Sequence, residues 1–276
     1  MKKHSSQIWS WLLLVSTLCA CTQVGAETRP AVTATAARPT ITATSAPECA
    51  GIGSMGTDHV PNPTQGFSIY FQYYLPPCYQ ERSDRSYPVL YLMTLSHEEG
   101  LSLTDNTPLS LANRLIVGGK LPPVIVVVPG QLVGADSDVA LTRDLVPYVD
   151  GKYRTIRDRL HRGVGGVSNG AAIAVRMGFQ FPETFGSVGM LSGGIADNEA
   201  PRFTEWIRRT PPGKLPRLHI DVGDQDSGIL NLLHNLLLVL DANHVPYTLN
   251  VGHGDHKWAF WSPLMEPYLI WFSQAW

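Results

Sequence analysis

The feature that most constrains the fold of this chain is a regular alternation of short apolar runs with helical patterns. Runs rich in Val, Ile, Leu and Gly predict buried strands at 88–93, 124–128, 163–167, 186–191, 218–222 and 247–251. The intervening patterns predict helices at 108–117, 142–153, 169–179 and 229–242, with a last helix at 263–275. An aromatic run at 67–75 predicts another strand or the partner of an edge hairpin. This order favours an α/β fold, a mostly parallel central sheet with helices on both faces.

The charge balance argues against a nucleic-acid partner. The 276 residues carry 21 Lys and Arg against 23 Asp and Glu, which leaves a formal net charge of −2. Such a chain lacks the broad basic surface that a phosphate backbone requires. We therefore expect no nucleic-acid binding.

The first residues have the layout of an export signal. Lys2 and Lys3 precede an apolar stretch that ends in the sequence Leu18-Cys19-Ala20-Cys21. This ending resembles a bacterial lipobox and predicts a lipoprotein-type signal peptide at 1–20, cleavage before Cys21, and lipid attached to Cys21. The lipid would anchor the exported protein to a membrane surface of the cell envelope. An ordinary cleaved signal is the alternative, and it would make the protein secreted.

Residues 21–47 repeat Thr, Ala and Pro and predict a flexible tether, which leaves residues 48–276 as the folded domain. Cys19 would leave with the signal and Cys21 would carry lipid, so Cys49 and Cys78 remain as a pair in an oxidising compartment. We expect a structural disulfide between them.

The sequence Gly166-Val-Ser168-Asn-Gly170 lies between a predicted strand and a predicted helix. Gly-x-Ser-x-Gly in this context is typical of a nucleophile elbow, a tight turn that exposes the serine at the sheet edge. The main-chain amide of Asn169, at the start of the helix, would face a developing oxyanion.

An acid and a histidine are expected after the serine in the chain. Asp224 and Asp226 both follow the strand at 218–222, and we favour Asp226 because it lies deeper in the loop. His253 and His256 both follow the last strand, and each could accept the serine proton. The His-x-x-His spacing would also allow a metal site, but no further ligand cluster supports one, so we expect neither metal nor cofactor.

These motifs resemble the esterase D and enterochelin esterase-like family, which includes feruloyl and acetyl-xylan esterases and mycolyl-transferases. The resemblance covers about residues 49–276 and rests on stretches shared with that family: 74–79, 87–92, 144–150, Tyr153-Arg-Thr, Arg162, 166–170, Asp224-Gln-Asp226 and His256. It implies an α/β-hydrolase fold. The family's histidine is typically followed five residues later by Trp, which fits His256 and Trp261, and its acid closes a Gly-x-x-Asp turn, which fits Asp226.

One stretch departs from the family pattern. Thr94 and Leu95 stand where the family usually has His-Gly, whose amide supplies the second oxyanion donor, and we expect the amide of Leu95 to replace it. Trp258 and Trp261 could line an acyl pocket, although aromatic residues at this density more often seal a helix to the core.

The resemblance implies a serine hydrolase that cleaves small-molecule or glycan-linked carboxylic esters through Ser168, His256, Asp226 and an acyl-enzyme, and the N-terminal signal predicts that it is exported. A non-catalytic or weakly active glycan-binding module on the same fold is one alternative. An acyltransferase, in which an alcohol replaces water, is the other.

Overall fold

The computed structural model describes residue 49 and residues 51–61, 68–93, 107–130 and 136–276. The signal peptide at 1–20, the lipid attachment at Cys21 and the whole of the tether at 21–47 are predictions that lie outside these residues. Thr94 and Leu95 also lie outside them.

Eight strands form one sheet in the order β1-β2-β4-β3-β5-β6-β7-β8. They are β1 Ser54–Val60, β2 Ile69–Leu75, β3 Val89–Met93, β4 Ile125–Pro129, β5 Arg162–Val167, β6 Ser187–Leu191, β7 Arg217–Gly223 and β8 Thr248–Gly252. β2 pairs antiparallel with β1 and β4, and the pairs from β4 to β8 are parallel. The predicted mostly parallel sheet is therefore confirmed.

The helices are α1 Pro108–Val117, α2 Ser137–Ala140, α3 Val146–Lys152, α4 Asn169–Gln180, α5 Ala200–Arg209, α6 Ser227–Ala242, α7 Trp258–Trp261 and α8 Met265–Ser273. A π-helical turn, Leu141–Leu145, joins α2 to α3, so the helix predicted at 142–153 begins earlier, at Ser137, and changes from π to α geometry at Val146. Short 3₁₀ turns occur at Arg159–His161, Asp197–Glu199 and Ser262–Leu264. Among the described residues, no helix is both long enough and apolar enough to cross a membrane.

Two apolar layers pack on opposite faces of the sheet. Alternate residues of a strand point to opposite faces, so Tyr91 of β3 joins the layer beneath α3 to α6, whereas Leu90 joins the layer beneath α1 and α8. Both side chains are buried. Helices on both faces therefore shield the central strands, and the sheet's carboxyl edge is the place where polar loops meet.

The predicted disulfide between Cys49 and Cys78 is present. It closes a sequence separation of 29 residues and holds the chain before β1 against the turn that follows β2. This covalent link therefore secures the antiparallel edge of the sheet.

A polar cluster centred on Asp58 ties β1 to α3. The Asp58 carboxylate accepts hydrogen bonds from Lys152 Nζ at 2.6 Å, from Tyr153 Oη at 3.0 Å, from Tyr148 Oη at 3.3 Å and from the His59 amide at 2.9 Å. Burial raises the pKa of the Asp58 carboxyl, but the hydrogen bonds from Lys152 and His59 outweigh that effect, so the pKa lies below its usual value. The carboxylate stays ionised and joins the edge strand to the helix.

Candidate active site

Ser168 occupies a strained turn between β5 and α4. Its backbone has φ 54° and ψ −120°, a conformation that costs a non-glycine residue about 1–3 kcal/mol and persists only where the surroundings fix it. The Ser168 amide donates to the Leu191 carbonyl at the end of β6, at 2.8 Å. The serine therefore stands at the carboxyl edge of the sheet, where ligands of α/β folds bind.

The two glycines of the Gly-x-Ser-x-Gly motif make this turn possible because they let backbone segments pack directly against each other. A Cβ atom on Gly166 would lie 2.4 Å from the carbonyl carbon of Gly170, and one on Gly170 would lie 2.2 Å from the carbonyl oxygen of Met93. No side chain fits at either position, so β3, β5 and the first turn of α4 can pack as tightly as they do.

Two loops carry the predicted acid and the predicted histidine, and backbone hydrogen bonds join them. The Asp224 amide donates to the Gly252 carbonyl, and the Gln225 amide donates to the Gly254 carbonyl, both at 2.8 Å. A Cβ atom on Gly223 would lie 2.3 Å from the Gly254 carbonyl oxygen, so this contact also requires a glycine. The loop after β7 and the loop after β8 are thereby held in fixed register.

The structure brings Ser168, His256 and Asp226 into one hydrogen-bonded series. His256 Nε2 lies 2.7 Å from Ser168 Oγ, and His256 Nδ1 lies 2.7 Å from Asp226 Oδ2. Because an ionised carboxylate can only accept, the Nδ1 atom carries the proton that points to Asp226, and Nε2 is left to accept the Ser168 hydroxyl proton. The Asp226 side chain is 5% exposed and the His256 side chain 37% exposed, so a buried acid supports a histidine that solvent can reach.

The two alternative residues form a separate pair. His253 Nδ1 lies 3.2 Å from Asp224 Oδ2, and these side chains are 80% and 47% exposed. Hydrogen bonds from the Gly254 amide and from His253 hold the pKa of the Asp224 carboxyl below its usual value. Asp224 therefore serves the loop structure, as expected of an aspartate in a turn.

Asn169 is the first residue of α4, so its amide has no carbonyl partner within the helix and lies at the positive end of the helix dipole. It follows directly after Ser168, the position at which the amide was predicted to face an oxyanion. Leu95, the other predicted donor, lies outside the described residues.

The two tryptophans predicted as pocket residues occupy different environments. Trp261 is 2% exposed, and its ring is perpendicular to the His256 ring with centroids 4.8 Å apart. Trp258 is partly exposed and lines a cavity of about 240 Å³ together with Thr107, Arg114 and Glu266, among other residues. Trp261 thus packs beneath the imidazole, and Trp258 remains a candidate for contact with a ligand.

Sequence reasoning missed two residues that support the turn and the histidine. The Tyr268 hydroxyl accepts a hydrogen bond from the Gly166 amide at 2.9 Å, and the Ser192 hydroxyl accepts one from Trp261 Nε1 at 2.9 Å. Both hydrogen bonds join residues far apart in the chain, so no local sequence pattern predicts them. Across the part of the chain that the structure describes, no group of three or more His, Cys, Asp and Glu side chains could hold a metal ion.

The sheet topology and its helices are those of the α/β-hydrolase fold, and comparison with known proteins agrees. A family model described as "Putative esterase" matches residues 137–272, which contain Ser168, Asp226 and His256. This segment is therefore similar to an esterase family, and the resemblance predicted from the sequence is confirmed.

Two curated proteins are similar over about half of the chain. The protein YjcH of Bacillus subtilis is 27% identical over 135 residues, which are 47% of this chain and 56% of YjcH. An endo-1,4-beta-xylanase/feruloyl esterase of Xylanibacter ruminicola is 29% identical over 143 residues, which are 47% of this chain but 20% of that enzyme. The chain thus spans about half the length of the first protein and a fifth of the second.

Solved structures share the fold at low identity. A ferulic acid esterase superposes with a TM-score of 0.67 at 20% identity, covering 81% of this chain and 98% of that one. An S-formylglutathione hydrolase of Staphylococcus aureus superposes with a TM-score of 0.64 at 18% identity, covering 82% and 99%. The neighbours named here are esterases or hydrolases of the α/β-hydrolase fold.

Proposed function

We propose that this protein is a serine hydrolase that cleaves carboxylic esters through an acyl-enzyme on Ser168. The observation that carries the proposal is the pair of 2.7 Å contacts that His256 makes with Ser168 and with Asp226. Residues 137–272 match an esterase family model, and hydrolases are among the structural neighbours. Both findings support the same class of reaction.

Each residue has a defined step. His256 Nε2 takes the hydroxyl proton as Ser168 Oγ bonds to the ester carbonyl carbon, and the Asp226 carboxylate stabilises the imidazolium that results. The Asn169 amide donates to the oxyanion of the tetrahedral intermediate. His256 then gives the proton to the departing alkoxide, which leaves as an alcohol. Water, deprotonated by the same imidazole, attacks the acyl-enzyme and releases the acid and free Ser168.

We further propose that the protein acts outside the cytoplasm, anchored by lipid on Cys21. The Leu18-Cys19-Ala20-Cys21 sequence supports the anchor, and the Cys49–Cys78 disulfide supports an oxidising compartment. Labelling with radioactive palmitate in a bacterial host tests this proposal, with Cys19→Ala as the control for Cys21→Ala. Label that disappears only with Cys21→Ala supports the anchor, and label absent from the wild type refutes it.

The ester chemistry is tested by hydrolysis of p-nitrophenyl acetate, p-nitrophenyl butyrate and methyl ferulate. His256→Ala removes the proposed base, whereas His253→Ala removes an imidazole from the same loop that lies outside the proposed series. We expect the first variant to lose turnover by about 10⁴-fold or more and the second to stay within about twofold of wild type. Equal loss in both variants, or no turnover by the wild type, contradicts the proposal.

A further inference from the structure

A buried serine in a left-handed conformation lies at the end of β6. Ser192 has φ 51° and is 0% exposed, and its amide donates to the Asp221 carbonyl of β7 at 2.8 Å. Glycine adopts a positive φ without strain, whereas a side chain at such a position has a cost. The serine side chain therefore needs a compensating contact.

That contact is the Trp261 indole. Ser192 Oγ accepts a hydrogen bond from Trp261 Nε1 at 2.9 Å, between two side chains that are both buried. The Trp261 ring in turn packs at 90° against the His256 ring. A continuous series of contacts thus leads from the end of β6 to the imidazole.

The His256 imidazole needs a packing contact that limits the tilt of its ring. Its hydrogen bonds to Ser168 and Asp226 are both made by ring nitrogens. Two bonds in the plane of the ring fix its position but restrain its tilt about the axis through the two nitrogens less strongly, and only the bond to Cβ opposes that tilt otherwise. A perpendicular ring packed against the imidazole limits that tilt, provided that the indole itself cannot turn.

We propose that Ser192 is a positioning residue for His256, acting through the hydrogen bond that fixes the Trp261 indole. This inference rests on the proposed role of His256 as the base. Ser192 itself touches no reacting atom. Its effect is on the orientation of the imidazole at the moment of proton transfer.

The proposal is tested with Ser192→Ala, Trp261→Phe and the double variant, each in the full chain. Ser187→Ala is the matched control, because Ser187 begins β6, the strand that Ser192 follows, is equally buried and has no hydrogen-bond partner for its hydroxyl among the described residues. We expect Ser192→Ala and Trp261→Phe each to lower kcat for p-nitrophenyl butyrate about tenfold, with KM within about twofold, because orientation rather than binding is lost.

The double variant distinguishes the hydrogen bond from general damage. If Ser192 acts through the indole N–H, adding Ser192→Ala to Trp261→Phe lowers kcat by no more than about twofold further. Losses that multiply in the double variant overturn the proposal. So does a Ser192→Ala variant with the kcat of Ser187→Ala. Ser192→Gly removes the hydroxyl and relieves the backbone strain, and recovery of wild-type kcat in it would also overturn the proposal.

A spectroscopic measurement tests the positioning role of Ser192 without relying on ester hydrolysis. We expect the proton between His256 Nδ1 and Asp226 Oδ2, which lie 2.7 Å apart, to give a downfield resonance in the proton NMR spectrum. We expect it to broaden or move in Ser192→Ala and to remain unchanged in Ser187→Ala. An unchanged resonance in both variants overturns the positioning role, whereas absence of ester turnover by the wild type counts against the proposed function alone.

Discussion

Adding one methyl group at Gly170 tests how the nucleophile turn is built. The Cβ atom of an alanine there would lie 2.2 Å from the Met93 carbonyl oxygen and 2.7 Å from its carbon. Both neighbours are backbone atoms, so no side chain can rotate away. The oxygen contact must lengthen from 2.2 Å to at least 3.0 Å, which displaces the first turn of α4 from β3 by about 0.8 Å. That turn carries Ser168 and the Asn169 amide.

The expected cost of Gly170→Ala follows from this displacement. Overpacking of a filled interior lowers the free energy of unfolding by about 1–3 kcal/mol, and a misplacement near 1 Å at a reacting group lowers kcat by about 10²-fold. Urea unfolding measures the first effect, and turnover of p-nitrophenyl butyrate measures the second.

Gly228→Ala is the matched control. Gly228 is also the second residue of its helix, α6, but a Cβ atom there has nothing within 4 Å. We expect full activity and stability equal to wild type or higher by up to about 1 kcal/mol, since alanine favours helix. If both variants behave alike, close packing of the glycine motif does not position the nucleophile and this reasoning is wrong.

Further predictions follow from the acid, the disulfide and the edge cluster. Asp226→Asn should lower kcat by about 10³- to 10⁴-fold because it favours the wrong imidazole tautomer, whereas Asp224→Asn should leave kcat within about threefold; equal effects would contradict the assignment. Replacing Cys49 and Cys78 by Ser should lower the free energy of unfolding by about 3.6 kcal/mol, measured in urea without reductant, and no change would exclude a stabilising disulfide. Asp58→Asn should destabilise the protein at pH 7. The folded-state pKa of Asp58 is lowered, so its contribution is present above the unfolded pKa and is lost as the pH falls through the folded value. The free energies of unfolding of Asp58→Asn and wild type should therefore converge below about pH 4. A difference between them that widens there would contradict the predicted direction of the pH dependence.

The central sheet and the nucleophile turn are predictable from the sequence because their signals are local. β5 is a buried strand, mostly of Gly and Val, that ends at Val167 directly before Ser168, and glycine spacing marks the turn. β1 was missed because Val60 is its only buried residue, so it has no apolar alternation. The pairing with β2 defines it instead.

Besides the four-residue helix α2, two further helices were also missed. α5 buries Phe203, Trp206 and Ile207, a spacing typical of a helix, so a local signal was available for it. α7 has four residues, too few for any periodicity.

The prediction of the site residues used two kinds of information, local sequence and the family pattern. Local sequence placed Asp224 and Asp226 in the same loop and favoured Asp226 because it lies deeper there, and the family pattern reinforced that choice. The structure separates them by burial, a property that arises only when the loops after β7 and β8 come together. Ser192 and Trp261, 69 residues apart, meet through tertiary packing alone, and no sequence period encodes that contact.

The claim that Ser168 is an activated nucleophile is tested most directly by covalent labelling. The full chain would be treated with an alkyl fluorophosphonate, which reacts with activated serines, and then digested and analysed by mass spectrometry. We predict one phosphonyl group, located on Ser168, and at least about 10²-fold slower labelling of His256→Ala, because the base is then missing. Labelling of a different residue, or equal labelling rates for wild type and His256→Ala, would contradict the account.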